Sequence, residues 1–225
     1  MIDAHIHLDR FADPVAAWQR LQEAGLRGAL VPGVEEPYQA PAIEGIDFAY
    51  GQHPLFAAKP GWDERLTAAI EKQKPMAVGE LGFDRKAGIE QIDIAAAQID
   101  IAAQHSLPII VHLVGDGGPL RHSLSDHNAA VMLHRCSGRP SRFEAWWQAG
   151  TYISVGPTVG QDLRLLSAVP NELLLLESDA EDEAAAPWDT LPQLYAAAAR
   201  AKQMSLASIK ALVFANYARF LGVRR

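Results

Sequence analysis

The chain has 225 residues, 49% of them apolar and 21% charged, with a formal net charge of −7 and a single cysteine, Cys136. That length supports one substantial core, and the composition is that of a globular protein. The acidic balance excludes a general electrostatic attraction to nucleic acid or anionic membrane, so any nucleic-acid chemistry must rest on local cations or on metal ions. One cysteine excludes an intrachain disulfide, and no disulfide-linked partner is expected.

The N-terminus shows no basic segment followed by an apolar stretch and a cleavage site, and no apolar run approaches the ~20 residues that span a bilayer. A cytoplasmic protein with no membrane partner is expected. Eight short apolar runs are expected to be strands: 2–7 (IDAHIH), 28–33 (GALVPG), 48–54 (FAYGQHP), 76–82 (MAVGELG), 107–115 (LPIIVHLVG), 129–136 (AAVMLHRC), 151–156 (TYISVG) and 173–179 (LLLLESD). Most lack alternation, as parallel strands buried on both faces do.

Helical patterns fall between most of them. Residues 13–25 open on an Asp-Pro cap signal and end in glycine. Further helices are expected over 62–73, 89–106, 141–150, 158–169, 190–203 and 205–222, the last with Ser205 as N-cap. The stretch 35–45 is short and broken by proline, so the second βα unit is expected to be trimmed. Eight β-then-α units over 1–225 predict a single compact α/β TIM barrel, with a doubly wound open sheet as the competitor.

In such a barrel, chemistry gathers where strands end. Those ends carry His5 and His7, His53, Glu80, His112, His134 and Asp179. His5 and His7 are two apart, so a strand points both rings to one face. Each residue alone has a plainer role: a satisfied polar side chain, a partner for Arg85, or a helix N-cap for Asp179. Together they bring imidazoles and carboxylates onto one rim, and buried carboxylates need positive partners. Four imidazoles and two carboxylates, with His53 beside them, exceed what one tetrahedral zinc takes, which suggests two divalent ions bridged by a carboxylate. His105, His122 and His127 fall in helices or loops and are read as surface residues.

The ordered stretches "IDAHIHLD", "GQHP", "VGELGFD", "LPIIVH", "LHRCSG", "YISVG", "LLLESDA" and "NYARFLG" resemble the TatD family of metal-dependent hydrolases along essentially the whole chain. The resemblance implies a TIM barrel with two divalent metal ions, Zn, Mg or Mn. It implies His5, His7 and Asp179 on one ion, His112 and His134 on the other, and Glu80 bridging. It implies catalytic roles for Asp179, Glu80 and His53, with His53 facing substrate. A metal-activated water would attack phosphorus, Asp179 taking its proton. The implied activity is a deoxyribonuclease acting on DNA ends. Glutamate at the bridge, in place of the carboxylated lysine of phosphotriesterase-like relatives, favours this branch.

Candidates for phosphate contacts are Arg85 and Lys86, Arg121, Arg135, Arg139 and Arg142, with Arg85 and Arg135 foremost. The sequence departs from the family where Asp179 is followed by Glu181, Asp182 and Glu183, where His112 is followed by Leu113 and Val114 instead of Ser-Arg, and in the trimmed second unit. The acidic run should repel a polyanion. A small phosphoester or aminoacyl ester is therefore the alternative substrate. A metal-binding scaffold without turnover leaves Asp179 and an open site without a purpose. A phosphoesterase of the PHP type also starts on a histidine pair, but draws on more histidines and another strand order. Cys136 reads as a packing residue.

Overall fold

The computed structural model describes residues 1–223 except 35, 37, 40–42, 89, 116, 126–127 and 158–162. Eight parallel strands form one sheet in sequence order: β1 (Ile2–Asp3), β2 (Gly28–Gly33), β3 (Ile46–Tyr50), β4 (Ala77–Asp84), β5 (Ile109–Val114), β6 (Val131–Cys136), β7 (Tyr152–Val155) and β8 (Leu174–Leu176). The sheet curls round to meet itself. Ala4 N donates to Leu176 O, Asp179 N to His5 O and His7 N to Ala180 O, each at 2.9 Å. The fold is the expected (β/α)8 barrel, and these bonds exclude the open sheet.

The expected first strand is longer than the paired ladder, which stops at Asp3. Residues beyond it still bond to both neighbours, Ile6 N reaching Leu30 O at 3.1 Å, so the chain stays in the barrel wall as far as the histidines. The apolar strand runs fill the wall. Leu30, Val78, Ile109, Ile110, Val111, Ile153, Leu174 and Leu175 are fully buried, the burial that uninterrupted apolar runs require.

The helices are α1 (Pro14–Glu23), α2 (Trp62–Gln73), α3 (Gln91–His105), α4 (Gly118–Ser125), α5 (Glu144–Gln148), α6 (Arg164–Ala168), α7 (Pro187–Lys202) and α8 (Leu206–Phe220). Asp13 caps α1 by accepting from Ala16 N at 2.9 Å, and Ser205 caps α8 by accepting from Ser208 N at 3.1 Å. Helix α4 has no counterpart among the expected helices. Its Gly-Gly-Pro start and sparse apolar positions hide it, and it forms because the β5–β6 crossover needs a covering element. Helix α5 is shorter than expected, since Pro140–Arg142 forms a separate 3-10 turn. Of the helix expected over 158–169, residues 158–162 lie outside the described residues, and Arg164–Ala168 is helical. Between β2 and β3 no helix occurs among the described residues, as the trimmed unit predicts.

Helices lock onto strands by side chains that satisfy buried backbone. The Tyr195 hydroxyl donates to Ile2 O at 2.8 Å and accepts from Ile2 N at 3.0 Å, fixing α7 on β1. Asn216 Nδ2 donates to Leu174 O and Asn171 O, both at 2.7 Å, fixing α8 on β8. Among the described residues no helix is long and apolar enough to cross a membrane.

Candidate active site

The seven histidine and carboxylate side chains expected at the strand ends meet at the carboxyl end of the barrel. Glu80, 1% exposed, lies at the centre on β4. Register shifts in β4 between Val78 and Leu81, and in β6 between Leu133 and Cys136, fall on Glu80 and on His134–Arg135. Such irregularities re-aim a side chain that a regular strand would point elsewhere.

The two oxygens of Glu80 face different histidines. Oε1 lies 3.2 Å from His5 Nε2 and 3.3 Å from His7 Nε2. Oε2 lies 2.7 Å from His134 Nε2, 3.4 Å from His112 Nδ1 and 3.7 Å from His53 Nε2. Asp179 Oδ1 stands 3.7 Å from His5 Nε2 and 3.6 Å from His7 Nε2, closing the first group. Asp179 and Arg135 both hold left-handed backbone, φ 49° and 51°, a strain that tertiary structure has to sustain. Their side chains form an ion pair, Arg135 Nε to Asp179 Oδ2 at 3.0 Å.

Three of the imidazoles are neutral. Burial holds His5 and His7 down to about 4 and His53 to about 3. Burial also opposes charge on His134, but Glu80, Glu177 and Asp179 outweigh it and lift that ring to about 9. Burial alone would raise Glu80; the surrounding rings, His134 and His5 foremost, hold it well below the carboxylate range. Neutral rings offer lone pairs towards a carboxylate, and ring nitrogens stand close to one another, His53 Nε2 to His112 Nδ1 at 3.2 Å and His112 Nδ1 to His134 Nε2 at 3.0 Å. Two such nitrogens share one proton at most. The buried Nδ1 atoms of His5, His7 and His134 have no hydrogen-bond partner among the described residues. This donor set has too few protons and too many lone pairs, and fits divalent cations. Three groups could hold one: His5, His7 and Glu80; His5, His134 and Asp179; and His53, Glu80 and His112. His53, expected to face substrate, thus sits within the cluster.

Four residues of the site were not anticipated. Asp84 Oδ2 takes His112 Nε2 at 3.0 Å, which turns His112 Nδ1 to the centre. Gln91 in turn grips the Asp84 backbone, its Oε1 accepting from Asp84 N at 2.7 Å. Glu177, fully buried, has Oε1 at 3.8 Å from His134 Nδ1 and accepts the Arg135 amide. Asp3 accepts from Ser178 Oγ at 2.6 Å, Ser178 N at 2.9 Å and His5 N at 3.2 Å, tying the ends of β1 and β8 together under the cluster. The signals were spacing: Asp84 shares a strand face with Glu80 four residues earlier, and Glu177 precedes Asp179 by two.

The acidic run serves the loop itself. Glu181 pairs with Arg10 at 2.8 Å, Glu183 accepts from Ala12 N at 3.0 Å, and Asp182 accepts from Ala184 N at 2.9 Å and Ala185 N at 3.3 Å. Of the cations, Arg135 reaches the cluster, while Arg121, Arg135 and Arg142 line a cavity of about 590 Å³ beside His134. Arg85 is exposed in the turn after β4, the rim position expected for it, and lines neither this cavity nor the one beside His53. His122 is exposed, His105 half-buried at the end of α3, and His127 lies outside the described residues. Burial pushes the Cys136 thiol well above its usual range, so it is no nucleophile.

A barrel whose rim carries five histidines around a central glutamate defines a metal-dependent hydrolase. The TatD-related DNase family model matches residues 2–222, and the chain belongs to that family. It is 33% identical over 215 residues to human deoxyribonuclease TATDN3, covering 80% of this chain and 77% of that protein. It is 29% identical over 185 residues to the 3'-5' ssDNA/RNA exonuclease TatD of Dickeya dadantii, covering 72% and 69%. The fold matches the Escherichia coli TatD homologue YjjV, with a TM-score of 0.82 at 24% identity, over 100% of this chain and 98% of that one.

Proposed function

We propose that this chain trims single-stranded DNA from its 3' end, using two divalent cations, Zn, Mg or Mn. The observation that carries this is the division of Glu80 between two histidine sets, Oε1 towards His5 and His7 and Oε2 towards His112 and His134. In this reading His5, His7 and Asp179 hold one ion, His112 and His134 the other, and Glu80 both. The ions supply an acidified water and offset charge on the phosphoryl oxygens.

The protein's own groups do the rest. Asp179, whose Oδ2 pairs with Arg135 and whose Oδ1 faces His5 and His7, is placed beside the cluster to take a proton from an attacking water. Arg135, 59% exposed at its side chain, holds that carboxylate and extends towards a non-bridging oxygen of the substrate. His53, at the rim, is fixed by Leu55 N donating to its Nδ1 at 3.1 Å, which directs Nε2 inward. The small-ester alternative drew its force from the acidic run, and the contacts of Glu181, Asp182 and Glu183 with Arg10 and backbone amides take most of that force away.

The test is a time course on end-labelled single-stranded DNA with magnesium or manganese, run beside Glu80→Ala. Metal-dependent shortening from the 3' end, lowered at least about 1,000-fold in the variant, is expected. Absence of shortening by the wild-type chain under either metal would move the substrate to a small ester.

A further inference from the structure

We propose that the cavity between β5 and β6 is the subsite that grips the phosphate backbone of a single nucleic-acid strand, with Arg121 and Arg142 as its two cationic holds. The proposal rests on the phosphodiesterase reading above and adds where the strand runs. The cavity, about 590 Å³, is within the size range of ligand pockets. His134 and Arg135 are among its lining residues, so it borders the cluster. Arg121 comes from α4 and Arg142 from the turn before α5, two elements converging on one concavity.

Among the described residues its charge is one-sided. No aspartate or glutamate lines it among the described residues, and neither Arg121 nor Arg142 pairs with a described carboxylate. The Arg142 guanidinium stands 5.6 Å from the centre of the Phe143 ring, which orients it while leaving its N–H donors unspent. Phe143 and Trp146 add an apolar floor of the kind that suits a base or sugar between phosphates. On the other flank, the cavity of about 270 Å³ beside His53 contains Glu90 and no lysine or arginine. In a chain of net charge −7, unpaired guanidiniums gathered on one side of a phosphoester site mark the path of a polyanion. A small monoester would fill only the part beside His134 and leave Arg121 and Arg142 unused.

The test is binding of a fluorescein-labelled eight-nucleotide single-stranded DNA to the metal-free protein, followed by anisotropy across a salt series. Expected for the Arg121→Ala/Arg142→Ala double variant is at least ten-fold weaker binding. The slope of log affinity against log salt should fall by about 1.4, two contacts at ~0.7 each. Each single variant should give part of the effect, and Lys72→Ala, on exposed α2 away from the site, none. Wild-type affinity and slope in the double variant, with a wild-type chain that cleaves DNA when manganese is added, would overturn this path and leave the nuclease reading standing. A wild-type chain that neither binds the strand nor cleaves it would overturn both.

Discussion

Asp84 touches no ion and no substrate in this account, yet it decides how His112 works. Its Oδ2 at 3.0 Å from His112 Nε2 fixes the proton there and leaves Nδ1 as the inward lone pair. Removing the charge while keeping the shape, Asp84→Asn, should lower apparent affinity for the activating cation by about 10–100-fold. Activity titrated against manganese concentration measures this; an unchanged midpoint would show that His112 is oriented by something else. The histidines, Glu80 and Asp179 were readable in the sequence, because a strand's end is visible as the end of an apolar run. Asp84 and Glu177 were not. Their meaning depends on which residue of the next strand they face, and a single sequence does not print that register.

Among the elements, the β4–β5 pair carries the most. Gly82 holds φ at +143°, and a Cβ built there would lie 2.1 Å from the His112 carbonyl oxygen. The two strands approach closely at that point, which sets Glu80 against His112. Gly82→Ala should therefore cost about 3 kcal/mol or more of folding stability. Urea unfolding followed by tryptophan fluorescence reads it, and a wild-type midpoint would mean that β5 can retreat at no cost. Elements with strong local signals, such as α1 with Asp13 and α8 with Ser205, were legible. Helix α4 was not, since GPLRHSLS offers only Leu120 and Leu124 as an apolar face, too short a pattern to read in the sequence, and both are buried against the barrel it covers. The ladder of β1 is short because its outer half bonds through single contacts to β2 and β8 instead of a regular pairing.

At the scale of the molecule, the barrel is what turns scattered residues into one site. Its strand order repeats the sequence order, so ends separated by more than a hundred residues share one rim. Alternation of apolar runs with helices was enough to expect this, because parallel strands need crossovers. Distinguishing it from an open sheet required the contacts between the first and last strands. Barrel closure is also what brings Asp179 to His5 and His7, the residues proposed to hold the first ion. In the proposed function this closed rim holds two divalent cations organised by Glu80. The direct measurement is titration calorimetry of the metal-free chain with manganese, beside Glu80→Ala. Two ions per wild-type chain are expected, and the loss of at least one in the variant. One ion or none in the wild type, or two retained in Glu80→Ala, would contradict it.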